Sequence, residues 1–146
     1  MPSASAKADL LRRHRLDEGR VHVIPHGADP FEAPAPEEAE RVRARFGIGG
    51  PFALFVGGIE PRKNLGALVE AFTRVGDADR WLVIAGGRTS WAPQGTETLR
   101  AQVAALPEDF RRRVVLTGYV SDEEKRALLA GATVLATHPT YEVENG

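Results

Sequence analysis

The sequence has no cysteine and no long hydrophobic run. Without cysteine the chain forms no disulfide and offers neither a thiolate metal site nor a thiol nucleophile. Its apolar runs are short, as at Phe52–Val56, whereas a membrane-spanning helix needs roughly 18 consecutive apolar residues. The first residues, Met1–Lys7, lack the apolar core of a secretory signal. Together these absences favour a cytoplasmic protein.

A surplus of either charge is also missing. The 146 residues include 19 Lys and Arg against 20 Asp and Glu, which leaves a net charge of -1. A chain without a basic surplus is not expected to bind nucleic acid through its phosphates. Hydrophobic residues make up 42% and charged residues 27%, values typical of a globular domain. The length suits one domain of ordinary size.

Short apolar strands alternate with amphipathic helices along the chain. The pattern predicts helices at 3–15, 37–46, 64–75, 96–106 and 121–130, and strands at 21–24, 52–56, 81–85, 114–116 and 133–137. Asn64 is expected to cap its helix, and Ser121 with Glu124 predicts a capping box. Continuous apolar strands separated by helices predict an α/β fold with a Rossmann-like, mostly parallel sheet.

A proline-rich segment interrupts this alternation. Residues 28–36 contain three prolines and predict a stiff, extended linker. The linker would separate residues 1–27, a helix plus a strand, from the α/β unit at 37–146.

The loop after the first strand of that unit carries the clearest chemical signal. Ligands of an open parallel sheet bind beyond the carboxyl ends of its strands. Gly57 and Gly58 leave room there for a ligand to approach the backbone, and Arg62 with Lys63 places two cations beside a helix start. This combination suits a diphosphate. The alternative is that both cations are merely solvated. The loop is neither a Walker motif nor G-x-G-x-x-G.

At this point the sequence resembles the group 1 glycosyltransferases, retaining enzymes of the GT-B fold that use nucleotide sugars. The loop reads Phe-Val-Gly-Gly-Ile-Glu-Pro-Arg-Lys-Asn-Leu at 55–65, which is similar to that family's signature. Four further segments agree with the family in order and spacing: Val23–Asp29, Leu82–Gly86, Leu116–Glu124 and Pro139–Glu142. Any one of them would be a weak signal, but five in the correct order are strong.

The resemblance implies the donor-binding half of such an enzyme. It identifies residues 1–27 as the tail of the acceptor-side domain, 28–36 as the interdomain linker, and 37–146 as an incomplete GT-B C-terminal domain that appears truncated at Gly146. Lys63 matches the phosphate-binding lysine, while Gly58 stands where many relatives have a phosphate-binding arginine. Gly118, Tyr119 and Val120 match the segment whose backbone meets the base.

Glu142 matches the first glutamate of the family's E-x7-E pair and is expected to act at the donor sugar. Two departures qualify this match. Val143–Gly146 replaces the family's G-F-G-L-P, and the pair's second glutamate would lie beyond the end of the sequence.

The activity implied is transfer of a hexose from a UDP- or GDP-linked donor to a hydroxyl of a saccharide, lipid or small molecule, with retention. No Asp-x-Asp motif is present, so a metal-independent reaction without a cofactor is expected. The full-length enzyme would be cytoplasmic or peripheral at the inner membrane face. Without the acceptor domain and the second glutamate, this chain alone is expected to have negligible activity. The alternative is a non-catalytic nucleotide-binding or interaction module of the same fold.

Overall fold

The computed structural model describes residues 1–27, 30–75, 78–87 and 94–137. The chain divides into two compact units, Met1–Phe31 and Glu32–Gly146. The assignment of these units to an acceptor-side and a donor-side domain stays a prediction. Within the described stretches no helix combines the length and the apolar character that crossing a bilayer requires.

The first unit contains one helix, α1 (Ala4–Arg13), whose N-terminus is capped by the Ser3 hydroxyl. A short 3-10 turn follows at Glu18–Arg20. The predicted strand at 21–24 is not formed, because the described part of this unit offers no neighbouring strand to pair with. Backbone groups there pair with the first residue instead: Ile24 N–H donates to Met1 O at 2.9 Å, and the terminal amine donates to His22 O at 2.8 Å.

The second unit shows the predicted alternation of helices and strands, so the α/β prediction is confirmed. Its elements in order are α2 (Pro36–Arg45), β1 (Phe52–Val56), a 3-10 turn at Pro61–Lys63, α3 (Leu65–Val75), β2 (Trp81–Ala85), α4 (Gly95–Ala104), α5 (Glu108–Arg111), β3 (Val114–Gly118), α6 (Asp122–Gly131) and β4 (Val134–Leu135). The short α5 was not predicted, and β4 is shorter than the predicted strand at 133–137.

The four strands form one parallel sheet in the order β3-β2-β1-β4. Alternate side chains of β1 and β2 enter two separate cores because successive strand residues face opposite sides of a sheet. Leu54 and Val83 pack on the side of α2 and α6, and Leu82 and Ile84 pack on the side of α3 and α4. From β1 the chain adds β2 and β3 on one side of the sheet and then β4 on the other side of β1. Such a change of side is a topological switch point, a place where α/β sheets bind ligands.

Asn64 lies immediately before α3, at the position predicted for the cap, in the left-handed conformation with φ 47° and ψ 44° rather than in the extended backbone typical of a capping residue. Capping of α3 by its side chain stays a prediction. Its carbonyl accepts the N–H groups of Ala67 and Leu68. This left-handed residue thus links the 3-10 turn at Pro61–Lys63 to the first turn of α3.

The capping box at α6 is confirmed. The Ser121 hydroxyl accepts the Glu124 N–H at 3.1 Å, and the Glu124 carboxylate accepts the Ser121 N–H at 2.9 Å. Two of the unpaired amides of the helix end are thereby satisfied, and the first turn of α6 has a fixed place beside the sheet.

Replacing Ser121 with alanine is expected to lower the free energy of unfolding by about 1 kcal/mol, because the substitution removes the acceptor of the cap. Urea unfolding followed by circular dichroism measures the change. The Ser121→Thr variant keeps the hydroxyl and serves as the control, with stability close to that of the wild type. Equal stability of all three proteins would show that the cap contributes nothing.

Candidate functional site

A groove of about 480 Å³ opens where the carboxyl ends of β1 and β2 meet the start of α6. Its position is the one predicted for a ligand of a parallel sheet. Four glycines supply its backbone-lined side, and the first turn of α6 supplies the other side. The described residues that line it are Val56, Gly57, Gly58, Ala85, Gly86, Gly87, Tyr119, Val120, Asp122 and Lys125.

A pair of glycines follows each of the two strands, and at Gly86 the strand ends approach each other too closely for a side chain. Gly86 has φ 143°, and a Cβ built on it would lie 1.9 Å from the carbonyl oxygen of Gly57. Gly57 N–H donates to Ala85 O at 2.9 Å, and Gly86 N–H donates to Gly118 O at 2.9 Å. The three strand ends are therefore joined through backbone, and no side chain of these glycines fills the groove.

Lys63 lies against Gly57 at the edge of this backbone surface. A Cβ on Gly57 would be 2.8 Å from Lys63 Nζ. The ammonium is 5.8 Å from the centre of the Phe55 ring and 3.7 Å from Glu60 Oε1. A separation of 3.7 Å is an ion pair rather than a hydrogen bond, and Nζ donates no hydrogen bond to any residue in the described part of the chain. The ammonium is thus held in place while its donors stay available.

Arg62 and Glu60 form the second half of this cationic turn. Arg62 Nε donates to Glu60 Oε2 at 2.7 Å, and the Arg62 side chain is 68% exposed, whereas that of Glu60 is only 6% exposed. Glu60 therefore pairs with both predicted phosphate ligands from a buried position. Glu60 was not predicted from the sequence, although its spacing of two and three residues from the two cations could have indicated that it pairs with them.

The predicted contribution of the α3 N-terminus is not seen at the groove. Pro61, Asn64, Leu65 and Gly66 line a separate cavity of about 340 Å³ that faces α4. Arg62 and Lys63 are not among the described groove-lining residues either, although Lys63 Nζ contacts Gly57, which is. Among the described lining residues, the helix start at the groove is that of α6.

The predicted base-binding segment is divided between two cavities. Tyr119, 89% exposed, and Val120, which is buried in the core, line the groove. Gly118 lines a neighbouring cavity of about 280 Å³ on the α4 side. The structure thus brings together Gly57, Gly58, Tyr119 and Val120, and it leaves Gly118 on the far side of Gly86.

Asp122 and Lys125 complete the groove, and the sequence analysis did not single them out. Lys125 Nζ donates to Asp122 Oδ1 at 2.6 Å across one turn of α6. This hydrogen bond, together with the charge of Lys125, lowers the pKa of the Asp122 carboxyl below its ordinary value. The α6 end of the groove therefore carries a hydrogen-bonded carboxylate and ammonium, and the Lys63 ammonium lies beside its β1 end, next to Gly57.

Glu142 lies outside the described residues, so its predicted place at the donor sugar stays a prediction. Within residues 1–27, 30–75, 78–87 and 94–137, no group of three acidic or histidine side chains is arranged to hold a metal ion.

With this geometry in hand, comparison with known proteins identifies the family. The model of the family described as "Glycosyl transferases group 1" matches residues 37–144, most of the chain. The chain belongs to the group 1 glycosyl transferases. This membership confirms the resemblance read from the five sequence segments.

Two curated proteins are similar to this glycosyl transferase chain. A D-inositol 3-phosphate glycosyltransferase of Xylanimonas cellulosilytica is 32% identical over 100 residues, which cover 64% of this chain and 24% of the relative. A mannosylfructose-phosphate synthase of Agrobacterium fabrum is 25% identical over 140 residues, which cover 91% of this chain and 30% of the relative. The chain thus spans between a quarter and a third of the length of these relatives.

Two solved structures share the fold. HepE of Anabaena in complex with UDP-glucose superposes with a TM-score of 0.81 at 16% identity, covering 94% of this chain and 37% of HepE. WaaG, a glycosyltransferase of lipopolysaccharide biosynthesis, gives a TM-score of 0.71 at 23% identity, covering 97% and 37%. At these identities the likeness establishes the Rossmann-like half of a GT-B fold.

Proposed function

We propose that this chain binds the nucleotide-sugar donor of a retaining glycosyltransferase. The complete enzyme would transfer a hexose from a UDP- or GDP-linked donor to a hydroxyl of a saccharide, lipid or small molecule. In this proposal the diphosphate lies against Gly57 and Gly58 beside Lys63, and the base lies toward Tyr119 and Val120. Family membership supports the reaction class, and the curated relatives bear glycosyl-transfer names.

The observation that carries the proposal is the position of the Lys63 ammonium. It lies at the backbone edge of an open groove, is 24% exposed as a side chain, and is held by a ring face and a carboxylate. A lysine that only solvated its charge would extend into water and need no such support. A fixed cation beside glycine backbone provides a binding place for a phosphate dianion.

The same cation accounts for the chemistry. In glycosyl transfer the nucleoside diphosphate leaves with its electron pair, so negative charge grows on the phosphate oxygen that bridges to the sugar. A preorganised ammonium stabilises that charge more in the transition state than in the ground state. Arg62 lies one residue away and adds positive charge to the site. We expect no metal or cofactor to be needed for this stabilisation.

Lys63→Ala is expected to weaken binding of UDP-glucose and GDP-mannose by roughly 10- to 100-fold, the loss expected when a charged hydrogen-bond donor is removed. Isothermal titration calorimetry in buffer with EDTA measures donor binding and tests metal independence together. The affinity of the wild type should fall with added salt because the contact is ionic.

Two controls separate this effect from general charge loss. Arg74→Ala removes one positive charge at the far end of α3, where the side chain is 77% exposed, and should leave donor binding unchanged. Lys63→Arg keeps the charge and should retain part of the affinity. Equal binding by wild type and Lys63→Ala, or no donor binding by either, would contradict the proposal. Binding without transfer when the acceptor domain is supplied would favour the non-catalytic module.

Glu142 completes the proposal as the residue that acts at the donor sugar. Its role rests on the sequence resemblance alone.

A further inference from the structure

The charge distribution of the groove orients the bound nucleotide, if the groove holds one as proposed above. The Lys63 ammonium lies beside its β1 end, whereas the charged side chains that line its α6 end, Asp122 and Lys125, are paired with each other. The Asp122 carboxylate lies in the first turn of α6, where it already complements the helix dipole. The diphosphate therefore belongs at Lys63, and the base belongs at α6.

The side chains at the α6 end of the groove differ in how well they can distinguish one nucleotide base from another. Tyr119 is almost fully exposed at the groove, and its ring can stack on any base because every base presents a π face. Selection among bases must come from groups that meet their edges. Asp122 and Lys125 are the charged groove-lining side chains in the described part of the chain.

The backbone that carries the pair is fixed. The capping box fixes the first turn of α6, and Lys125 N–H donates to Ser121 O at 2.8 Å. Lys125 Nζ donates to one carboxylate oxygen of Asp122, and because each carboxylate oxygen has two lone pairs, both oxygens can accept from a ligand. The hydrogen bond from Lys125 and the charge of Lys125 lower the pKa of the Asp122 carboxyl, and an ionised carboxylate acts only as an acceptor.

We propose that Asp122 and Lys125 read the base and select guanine over uracil. Guanine offers two adjacent donors, N1–H and the 2-amino group, which one carboxylate can accept together, while its O6 and N7 accept from an ammonium. Uracil offers a single N–H flanked by two carbonyl oxygens, and both of these would face the carboxylate. The inference deepens the proposed function by naming a guanosine diphosphate sugar as the donor class.

The experiment is titration of the full chain with GDP, inosine diphosphate and UDP by calorimetry. The wild type is expected to bind GDP about tenfold more tightly than UDP. Inosine diphosphate lacks only the 2-amino group, so it should bind roughly threefold more weakly than GDP. Asp122→Asn should abolish both differences and leave UDP affinity within about twofold, because stacking and phosphate contacts are untouched.

Glu123→Gln is the matched control. Glu123 is the next residue of the same turn, but it lines a different cavity with Glu38 and Arg41 of α2, so its variant should keep the preference for GDP. Asp122→Glu restores the carboxylate and should recover part of the preference; circular dichroism checks that α6 is intact in each protein.

The outcomes separate the two proposals. Equal binding of GDP and UDP by the wild type, tighter UDP binding, or an unchanged preference in Asp122→Asn would overturn the base assignment while leaving the donor site standing. Failure of all three nucleotides to bind would overturn both.

Discussion

Gly86→Ala is expected to destabilise the second unit by about 3–5 kcal/mol, the largest effect of any single methyl group we predict. The added Cβ would lie 1.9 Å from Gly57 O and 2.7 Å from Gly57 C, and Gly86 has φ 143°, a value that L-residues rarely adopt. The atoms in the way belong to backbone, so no side-chain rotation relieves the clash. The ends of β1 and β2 would have to separate, and with them the backbone side of the groove.

Thermal unfolding measures this loss, with an expected fall in the midpoint of ~10 °C or more for a domain of this size. Gly87→Ala is the matched control. A Cβ there would lie 3.7 Å from Tyr119 N, an ordinary contact, and Gly87 has no unusual φ. Its stability should stay within about 0.5 kcal/mol of the wild type. A Gly86→Ala protein that melts like the Gly87→Ala protein would show that the strand ends are not closely packed.

The sheet was predictable from the sequence because a strand that is buried on both faces is apolar along its whole length. The strands at 52–56 and 81–85 are continuous apolar runs, and the structure pairs them in parallel register from Phe52 with Trp81 to Val56 with Ala85. The segment Val-His-Val-Ile at 21–24 also has the composition of a short strand, yet it forms none. A strand exists only where another strand offers partners for its backbone, and local composition does not reveal that.

The glycines of the site could be predicted from the sequence, but two of its carboxylates could not. Gly57 and Gly58 were identified because a glycine pair directly after a buried strand implies close backbone approach. Glu60 and Asp122 were missed because the direction of a loop carboxylate depends on the turn that carries it. The 3-10 turn and the left-handed Asn64 bury Glu60 behind two cations. The capping box places Asp122 at the groove and Glu123 away from it.

A second large loss is expected for Arg113→Ala, about 2–4 kcal/mol, at a place remote from the groove. Arg113 is 5% exposed and lies just before β3. Its Nε donates to Asp109 O at 2.7 Å, and its Nη1 donates to Arg80 O at 2.9 Å. The guanidinium also lies 5.5 Å and 5.0 Å from the ring centres of Phe72 and Phe110.

This guanidinium joins the starts of β2 and β3 to α3 and α5, which no apolar side chain of similar volume can do. Arg113→Met should therefore recover the packing but not the hydrogen bonds, and its stability should fall between those of wild type and Arg113→Ala. Arg112→Ala is the control, since that side chain is 67% exposed and should change stability by less than about 0.5 kcal/mol.

The comparison with Gly86→Ala separates stability from binding. Below its melting temperature Arg113→Ala should bind nucleotide with wild-type affinity, because the contacts given above lie at the opposite end of the sheet from the groove, whereas Gly86→Ala should lose binding together with stability. Impaired nucleotide binding in folded Arg113→Ala protein would show that the two ends of the sheet are coupled. Wild-type stability of Arg113→Ala would show that water replaces the guanidinium at both carbonyls without cost.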